Sequence, residues 1–230
     1  MRRHLFLRYA GMALGGMVIG PVLSGCGGSG EASLLPVDRN ALVADPSAIS
    51  VSAVAEDLSA EEIAGLKYMR EEEKLAHDVY VALGGLWGNR VFSQIALSEI
   101  EHTEAVRRLI EAHGLEDPAA GNPPGVFVNA ELQAMYDNLV ARGQASLIDA
   151  LKVGCLIEEK DIQDINEKIA QVDGEFDLVQ VYANLLCGSR NHLRAFNSNL
   201  LNQGERYVPV VIAQPEWDAI ANSPMETCGG

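Results

Sequence analysis

Basic side chains are scarce: 17 of the 230 residues are lysine or arginine against 32 aspartates and glutamates, a formal charge of −15. A chain this acidic repels nucleic acid, and it has no basic patch with which to hold an anionic membrane surface. Cysteine is scarce too. Besides Cys26 near the N-terminal end there are only Cys155, Cys187 and Cys228, with no Cys-x-x-Cys. Three is an odd number, which argues against a disulfide framework. Cys155 and Cys187 are expected to be ordinary core thiols. Aromatics make up 6%, prolines number nine and 48% of residues are hydrophobic, which fits one globular domain with extensions and not two full domains. No stretch reads as a convincing strand. The uncharged apolar run at residues 9–23 is shorter than the roughly 20 residues of a spanning helix.

That run still carries information. Arg2, Arg3 and Arg8 precede it and Leu23-Ser24-Gly25-Cys26 closes it, so residues 1–25 have the three-part layout of an export signal. The closing tetrapeptide resembles a bacterial lipobox, which implies that Cys26 is lipidated and becomes the mature N-terminus. Arg2-Arg3 also resembles the twin-arginine export pattern. Losing three arginines leaves 14 basic against 32 acidic side chains, a formal charge of −18. Residues 26–57 read as the lipidated cysteine and a flexible tether. An exported lipoprotein anchored in a membrane through Cys26 is the expectation, on the outer membrane or the periplasmic face of a Gram-negative cell.

From residue 58 the pattern becomes helical. Ser59 with Glu62 forms a capping box. Four long helical patterns follow, over about residues 60–83, 89–113, 146–172 and 175–202, the first expected to stop at Gly84-Gly85. A Gly- and Pro-rich segment and a short helix over about residues 130–142 lie between the second and third. Asp173-Gly174 turns the fourth back on the third. The prediction is all-α: a four-helix bundle over residues 58–203 with one long crossover carrying a short extra helix. Residues 204–230 form an irregular tail with a short helix near Trp217.

Core stripes at alternating spacings of three and four give Leu66, Met69, Glu73, Ala76, Tyr80 and Leu83 on the first long helix. They give Phe92, Ile95, Glu99, His102, Val106 and Leu109 on the second. The third gives Leu147, Leu151, Gly154, Glu158, Asp161 and Ile165, and the fourth Leu178, Tyr182, Leu185, Ser189, His192 and Phe196. Each stripe is apolar at its ends and polar in the middle. Four carboxylates buried without partners would cost several kcal/mol each or be driven neutral. Two divalent cations would balance them. Glu99 and His102, like Glu158 and Asp161, are spaced i, i+3 and point the same way from adjacent turns. Carboxylate and imidazole together favour iron or manganese over a thiolate-preferring metal. Glu71 and Glu72 compete with Glu73, and Glu159 with Glu158. The partner Asp161 favours Glu158. His77 reads as surface-facing.

The motifs Glu-Glu-Glu-Lys-Leu-Ala at 71–76, Ser-Glu-x-x-His at 98–102, Ile-Glu-Glu-x-Asp-Ile at 157–162 and Asn-His-Leu-Arg-Ala-Phe at 191–196 resemble those of ferritin-like proteins. The nearest likeness is to a bacterial and archaeal branch of unknown function related to rubrerythrins. The resemblance implies a carboxylate-bridged dinuclear site of two Fe ions, with Mn as an alternative, held by Glu73, Glu99, His102, Glu158, Asp161 and His192. In rubrerythrins a first-helix glutamate precedes a tyrosine by seven, so the resemblance favours Glu73 among the three glutamates and makes Tyr80 a candidate to hydrogen-bond a ligand or carry an electron, with a core tyrosine as the alternative. Ser189 departs from the pattern, standing where the family has a fourth-helix glutamate, with Asp161 in a position to compensate. The paired Cys-x-x-Cys of a rubredoxin domain is absent, so peroxide reduction would need an external reductant. Fe(II) with O2 or peroxide are the expected small-molecule substrates, and a homodimer is one open option for assembly. From a different class comes the alternative of a non-catalytic metal-binding or structural envelope lipoprotein.

Overall fold

The computed structural model describes residues 58–228, built from six α-helices with no strand among the described residues. The export signal, Cys26 and the tether lie outside them. The first helix, α1, spans Ala60–Trp87 and opens on the expected capping box: Ser59 Oγ accepts from the Glu62 N–H at 3.2 Å, and the Glu62 carboxylate accepts from the Ser59 N–H at 2.8 Å. It does not stop at Gly84-Gly85. It runs through both to Gly88, whose φ of 64° ends it. Two glycines inside a helix cost about 1 kcal/mol each relative to alanine, but tertiary packing overrides that preference. A Cβ on Gly84 would lie 3.0 Å from Phe92 Cβ, so the bare backbone lets the next helix approach. Beyond it, the Trp87 indole donates to the Gly143 carbonyl at 2.9 Å.

Helix α2 (Arg90–Ala112) starts at Asn89, whose side chain accepts from the Val91 N–H. The remaining helices are α3 (Ala130–Gly143), α4 (Leu147–Gln171), α5 (Phe176–Asn202) and α6 (Gln214–Ala221). Tight links at Gly88-Asn89 and at 172–175 make α1 antiparallel to α2 and α4 antiparallel to α5. Contacts also join α1 to α4 and α2 to α5; α3 lies against α1 and α4, and α6 against α5. Among the described residues, no helix is long and apolar enough to cross a membrane.

Two apolar clusters result. One gathers Leu66, Met69, Val106, Ile110, Ile165 and Tyr182. The other holds Tyr80, Phe92, Leu151 and Phe196, with the Phe196 ring centroid 5.0 Å from that of Tyr80 and 5.3 Å from that of Phe92. Gly154 makes room for this cluster, since a Cβ there would meet the Phe196 ring at 2.5 Å. On α1, α2 and α5 the polar stripe residues fall between the two clusters in sequence; on α4, Glu158 and Asp161 sit between Ile157 and Ile162 of the second cluster, just before Ile165 of the first.

The tail corrects one expectation. Cys187 is not a core thiol: it is disulfide-bonded to Cys228, with Cα atoms 5.7 Å apart, while Cys155 stays free and buried. The odd count conceals one pair and one thiol. The pairing partner lies 41 residues away, on a segment that only the tertiary fold brings back to α5.

Candidate metal centre

Because α2 places Glu99 and His102 one turn apart on one face, both project toward α1 and α5. Glu99, only 1% exposed, is the hub. One of its carboxylate oxygens lies 2.9 Å from His102 Nδ1, the other 2.8 Å from His192 Nδ1 on α5. His102 Nδ1 is also 3.2 Å from a Glu73 oxygen, and His192 Nδ1 is 3.4 Å from a Glu158 oxygen. The two imidazoles stack with centroids 5.2 Å apart. Ligand atoms of Glu99, His102 and His192 all fall within 4.8 Å of one another, which is the reach of a shared ion.

On α4, Glu158 accepts from the Tyr80 hydroxyl at 2.5 Å, and Asp161 meets the Ser189 hydroxyl. Glu73, Glu99, His102, Glu158, His192 and Tyr80 therefore join one connected group. Asp161 is not linked to it by a hydrogen bond or ion pair: its hydroxyl partner Ser189 otherwise meets only the Leu185 carbonyl, and it feels the group through the charges of Glu73, Glu72 and Glu158. His77 stays outside it, half-buried and paired with Asp78 at 2.9 Å.

Three residues that the stripes did not assign complete the arrangement. Ser98 Oγ lies 2.9 Å from His192 Nε2, which ties up that nitrogen and leaves Nδ1 facing the carboxylates. Gly188 is needed because a Cβ there would lie 2.4 Å from His102 Nε2, so the imidazole packs directly on the α5 backbone. A glycine in mid-helix is a sequence signal for such an approach. Glu72 is buried beside Glu73, in line with Tyr68 and Asp164.

The electrostatics set these groups against one another. Burial pushes Glu73 up to about 7, partly opposed by His102. Burial also raises Glu158, and it raises Asp161 well above the usual carboxylate range with Glu73, Glu72 and Glu158 adding to it. Burial would raise Glu99 as well, but His192 and His102 outweigh it and hold that carboxyl well below its ordinary value. For the imidazoles burial works downward. Glu99 and Glu73 overcome it at His102, and Glu99 and Glu158 lift His192 to about 10.

Buried polar atoms without a hydrogen-bond partner concentrate here: Glu73 Oε1, Asp161 Oδ1, His192 Nδ1 and, next door, Glu72 Oε2. His192 Nδ1 lies within 3 Å of a Glu99 oxygen yet off hydrogen-bonding geometry. Each such atom costs about 1–3 kcal/mol if nothing else meets it. A second group, His113, Glu175 and Asp177, is at best half-buried and has no such unpaired atom.

The profile of the family described as "Uncharacterized protein domain (DUF2202)" matches residues 62–224. The chain belongs to the DUF2202 family. The DUF2202 domain here is 45% identical over 169 residues to "Uncharacterized protein MJ0754" of Methanocaldococcus jannaschii, covering 74% of this chain and 91% of that protein. It is likewise similar to the crystal structure of hypothetical protein MJ0754 from Methanococcus jannaschii, at 44% identity and a TM-score of 0.72, over 74% of this chain and 97% of that one. The family match, over residues 62–224, takes in every residue of the cluster and stops short of Glu226 and Cys228. The ferritin-like resemblance rests on the motifs alone.

Proposed function

We propose that this DUF2202 domain is a ferritin-like four-helix bundle of α1, α2, α4 and α5, related to rubrerythrins, around a carboxylate-bridged dinuclear metal site that oxidises Fe(II) with O2 or reduces peroxide. Iron is the proposed metal and manganese the alternative. Glu99 carries the reading: a buried carboxylate with an imidazole nitrogen against each oxygen, in the midst of atoms that have no hydrogen-bond partner.

The donor set fits such ions. Glu73, Glu99, Glu158 and Asp161 balance two divalent charges, and oxygen with imidazole nitrogen suits first-row metals. Three of the four unpaired buried atoms belong to these candidate ligands, and a cation would satisfy all three. Two bound iron ions would supply the paired one-electron changes that O2 or peroxide chemistry requires.

The chain's own residues do the rest. Ser98 holds His192 with Nδ1 inward, and second contacts of this kind orient metal-binding histidines. Tyr80 holds a proton at Glu158 Oε1. Ser189 steadies Asp161, which takes the part of the missing α5 glutamate. Apolar clusters flank the polar layer at both ends, and an open cleft reaches it at Ser98 and His102.

The exported, lipid-anchored placement rests on residues 1–26 and is supported by the Cys187–Cys228 bond, since disulfides persist in oxidising compartments. The test is anaerobic Fe(II) titration followed by O2 or peroxide. Binding of about two Fe(II) per chain and a charge-transfer band that appears with oxidant is expected. Binding without oxidation overturns the enzyme reading in favour of a non-catalytic metal-binding or structural envelope lipoprotein, and no binding overturns both metal readings.

A further inference from the structure

We propose that the Cys187–Cys228 disulfide is the electron-entry couple of the centre, reduced by an external dithiol and reoxidised at the expense of peroxide. The inference rests on the peroxide-reducing arm of the function proposed above and names the class of its reductant.

Three observations support it. First, the bond stands beside the centre. Cys187 directly precedes Gly188, the residue on which the His102 imidazole packs, and Cys228 lines an open cleft of about 280 Å³ together with Ser98, His102 and Arg108. Second, access is one-sided: Cys228 is exposed and Cys187 is buried, so an incoming thiolate reaches Cys228 from solvent and leaves Cys187 as the inner thiol. Cys155 is buried away from this surface, where burial pushes its thiol out of the reactive range.

Third, the tail has a hold besides the disulfide. Glu226 accepts from Arg190 Nε at 2.8 Å and from Arg194 at 2.6 Å. The Asn191 side chain accepts from the Glu226 N–H at 2.8 Å and donates to its carbonyl at 3.0 Å. The arginines, first through the hydrogen bond from Arg190, hold Glu226 down at about 2, so the clasp stays charged at any ordinary pH. A second clasp two residues from Cys228 keeps the opened thiols adjacent, as a couple that cycles requires.

The chemistry balances. Thiol–disulfide exchange moves two electrons and two protons from the external dithiol, which becomes a disulfide, to Cys187 and Cys228. The two thiols then lose two electrons and two protons and their S–S bond reforms. The O–O bond of hydrogen peroxide breaks, and two waters leave.

The experiment reduces the iron-loaded full chain with dithiothreitol, removes the excess, adds one equivalent of hydrogen peroxide anaerobically and counts free thiols by alkylation and mass spectrometry. Cys187 and Cys228 should label after reduction and become protected again about tenfold faster with iron than in metal-free protein, with Cys155 unlabelled in both. Cys228→Ser should lose dithiol-supported peroxide consumption by about tenfold or more at unchanged iron content. Limited proteolysis of the reduced chain should leave the tail uncut.

A disulfide that resists the dithiol in the folded protein, a tail cut on reduction, or Cys228→Ser turning over like the parent overturns the proposal. Reoxidation at one rate with and without iron overturns it too, while leaving Fe(II) oxidation intact. If no preparation oxidises Fe(II) or consumes peroxide, the function proposed above falls and takes this couple with it.

Discussion

Glu159 accepts hydrogen bonds from the Tyr207 hydroxyl and from the N–H groups of Val210, Val211 and Ile212, all between 2.6 and 2.8 Å. Glu158, the preceding residue and equally buried, has the Tyr80 hydroxyl and a 3.4 Å approach from His192. The contrast repeats on α1. Glu71 accepts from the N–H groups of Val128 and Asn129, while Glu73 two residues on keeps an oxygen with no partner. Outward-turned carboxylates grip loops; inward-turned ones crowd together. Consecutive backbone N–H groups form a nest that satisfies an anion outright, so Glu71 and Glu159 are explained by structure alone. Glu73, Glu99, Glu158 and Asp161 are not. The cation site proposed above is what would account for them.

The sharpest way to break this contrast is to empty the inner set. Glu99→Ala with His102→Ala should weaken metal binding on the order of 10³-fold, about 4 kcal/mol, with helical circular dichroism retained. Isothermal titration showing parental affinity would erase the distinction. The outer set should answer differently: Glu159→Ala leaves three tail N–H groups and a tyrosine hydroxyl unpaired, and should cost about 3 kcal/mol in urea unfolding. Metal affinity should stay at the parental value, and a parallel loss of it would show that the two sets are one.

Acidity separates them further. Burial pushes the Glu73 carboxyl from 4.5 up to about 7, so the folded state binds its proton more tightly than the unfolded one. Its contribution is full below about pH 4.5 and lost as pH rises through about 7. His192, where burial works downward but Glu99 and Glu158 outweigh it, rises from 6.5 to about 10 and behaves alike, losing its contribution over that higher window. Glu99, held low, acts in the opposite sense and loses its contribution only in acid. Metal-free protein should therefore lose stability between about pH 5 and pH 9, on the order of 3 kcal/mol from Glu73 alone. Metal affinity should climb over the same range, because binding displaces those protons. Denaturant midpoints that stay flat with pH in metal-free protein would contradict it. The smallest effect belongs to Ser98→Ala, expected to weaken metal binding about tenfold, ~1.4 kcal/mol, with unfolding barely moved. An unchanged affinity would show that His192 needs no help in holding its orientation.

Much of this was legible beforehand. Of the stripe positions, only His102 and Leu147 are not fully buried, because a period of three and four states which face of a long helix meets its neighbours. The family's seven-residue spacing to Tyr80 pointed to Glu73 among three adjacent glutamates, and the i, i+3 partner Asp161 pointed to Glu158 among two. Other features were hidden. Gly84-Gly85 reads locally as a stop, and only the approach of Phe92 turns those glycines into a contact surface. The structural roles of Glu71 and Glu159 depend on loops 50 or more residues away, and nothing in the local pattern announces them. Ser98 and Gly188 stood in view, one inside a quoted motif and one in mid-helix. Their meaning required knowing which imidazole each would meet.

By itself the sequence determined the helices, the capping box that opens α1 and the polar middle of each stripe, since N-capping and amphipathic period are local properties written within a few residues. Which carboxylate serves the fold and which the centre was decided by the tertiary structure. So were the pairing of Cys187 with Cys228 and the stacking of His102 on Gly188. These depend on what the rest of the chain brings to a given face. Successive residues on a helix point about 100° apart, so neighbours as alike as Glu158 and Glu159 enter different surroundings, and only the packed molecule says which is which.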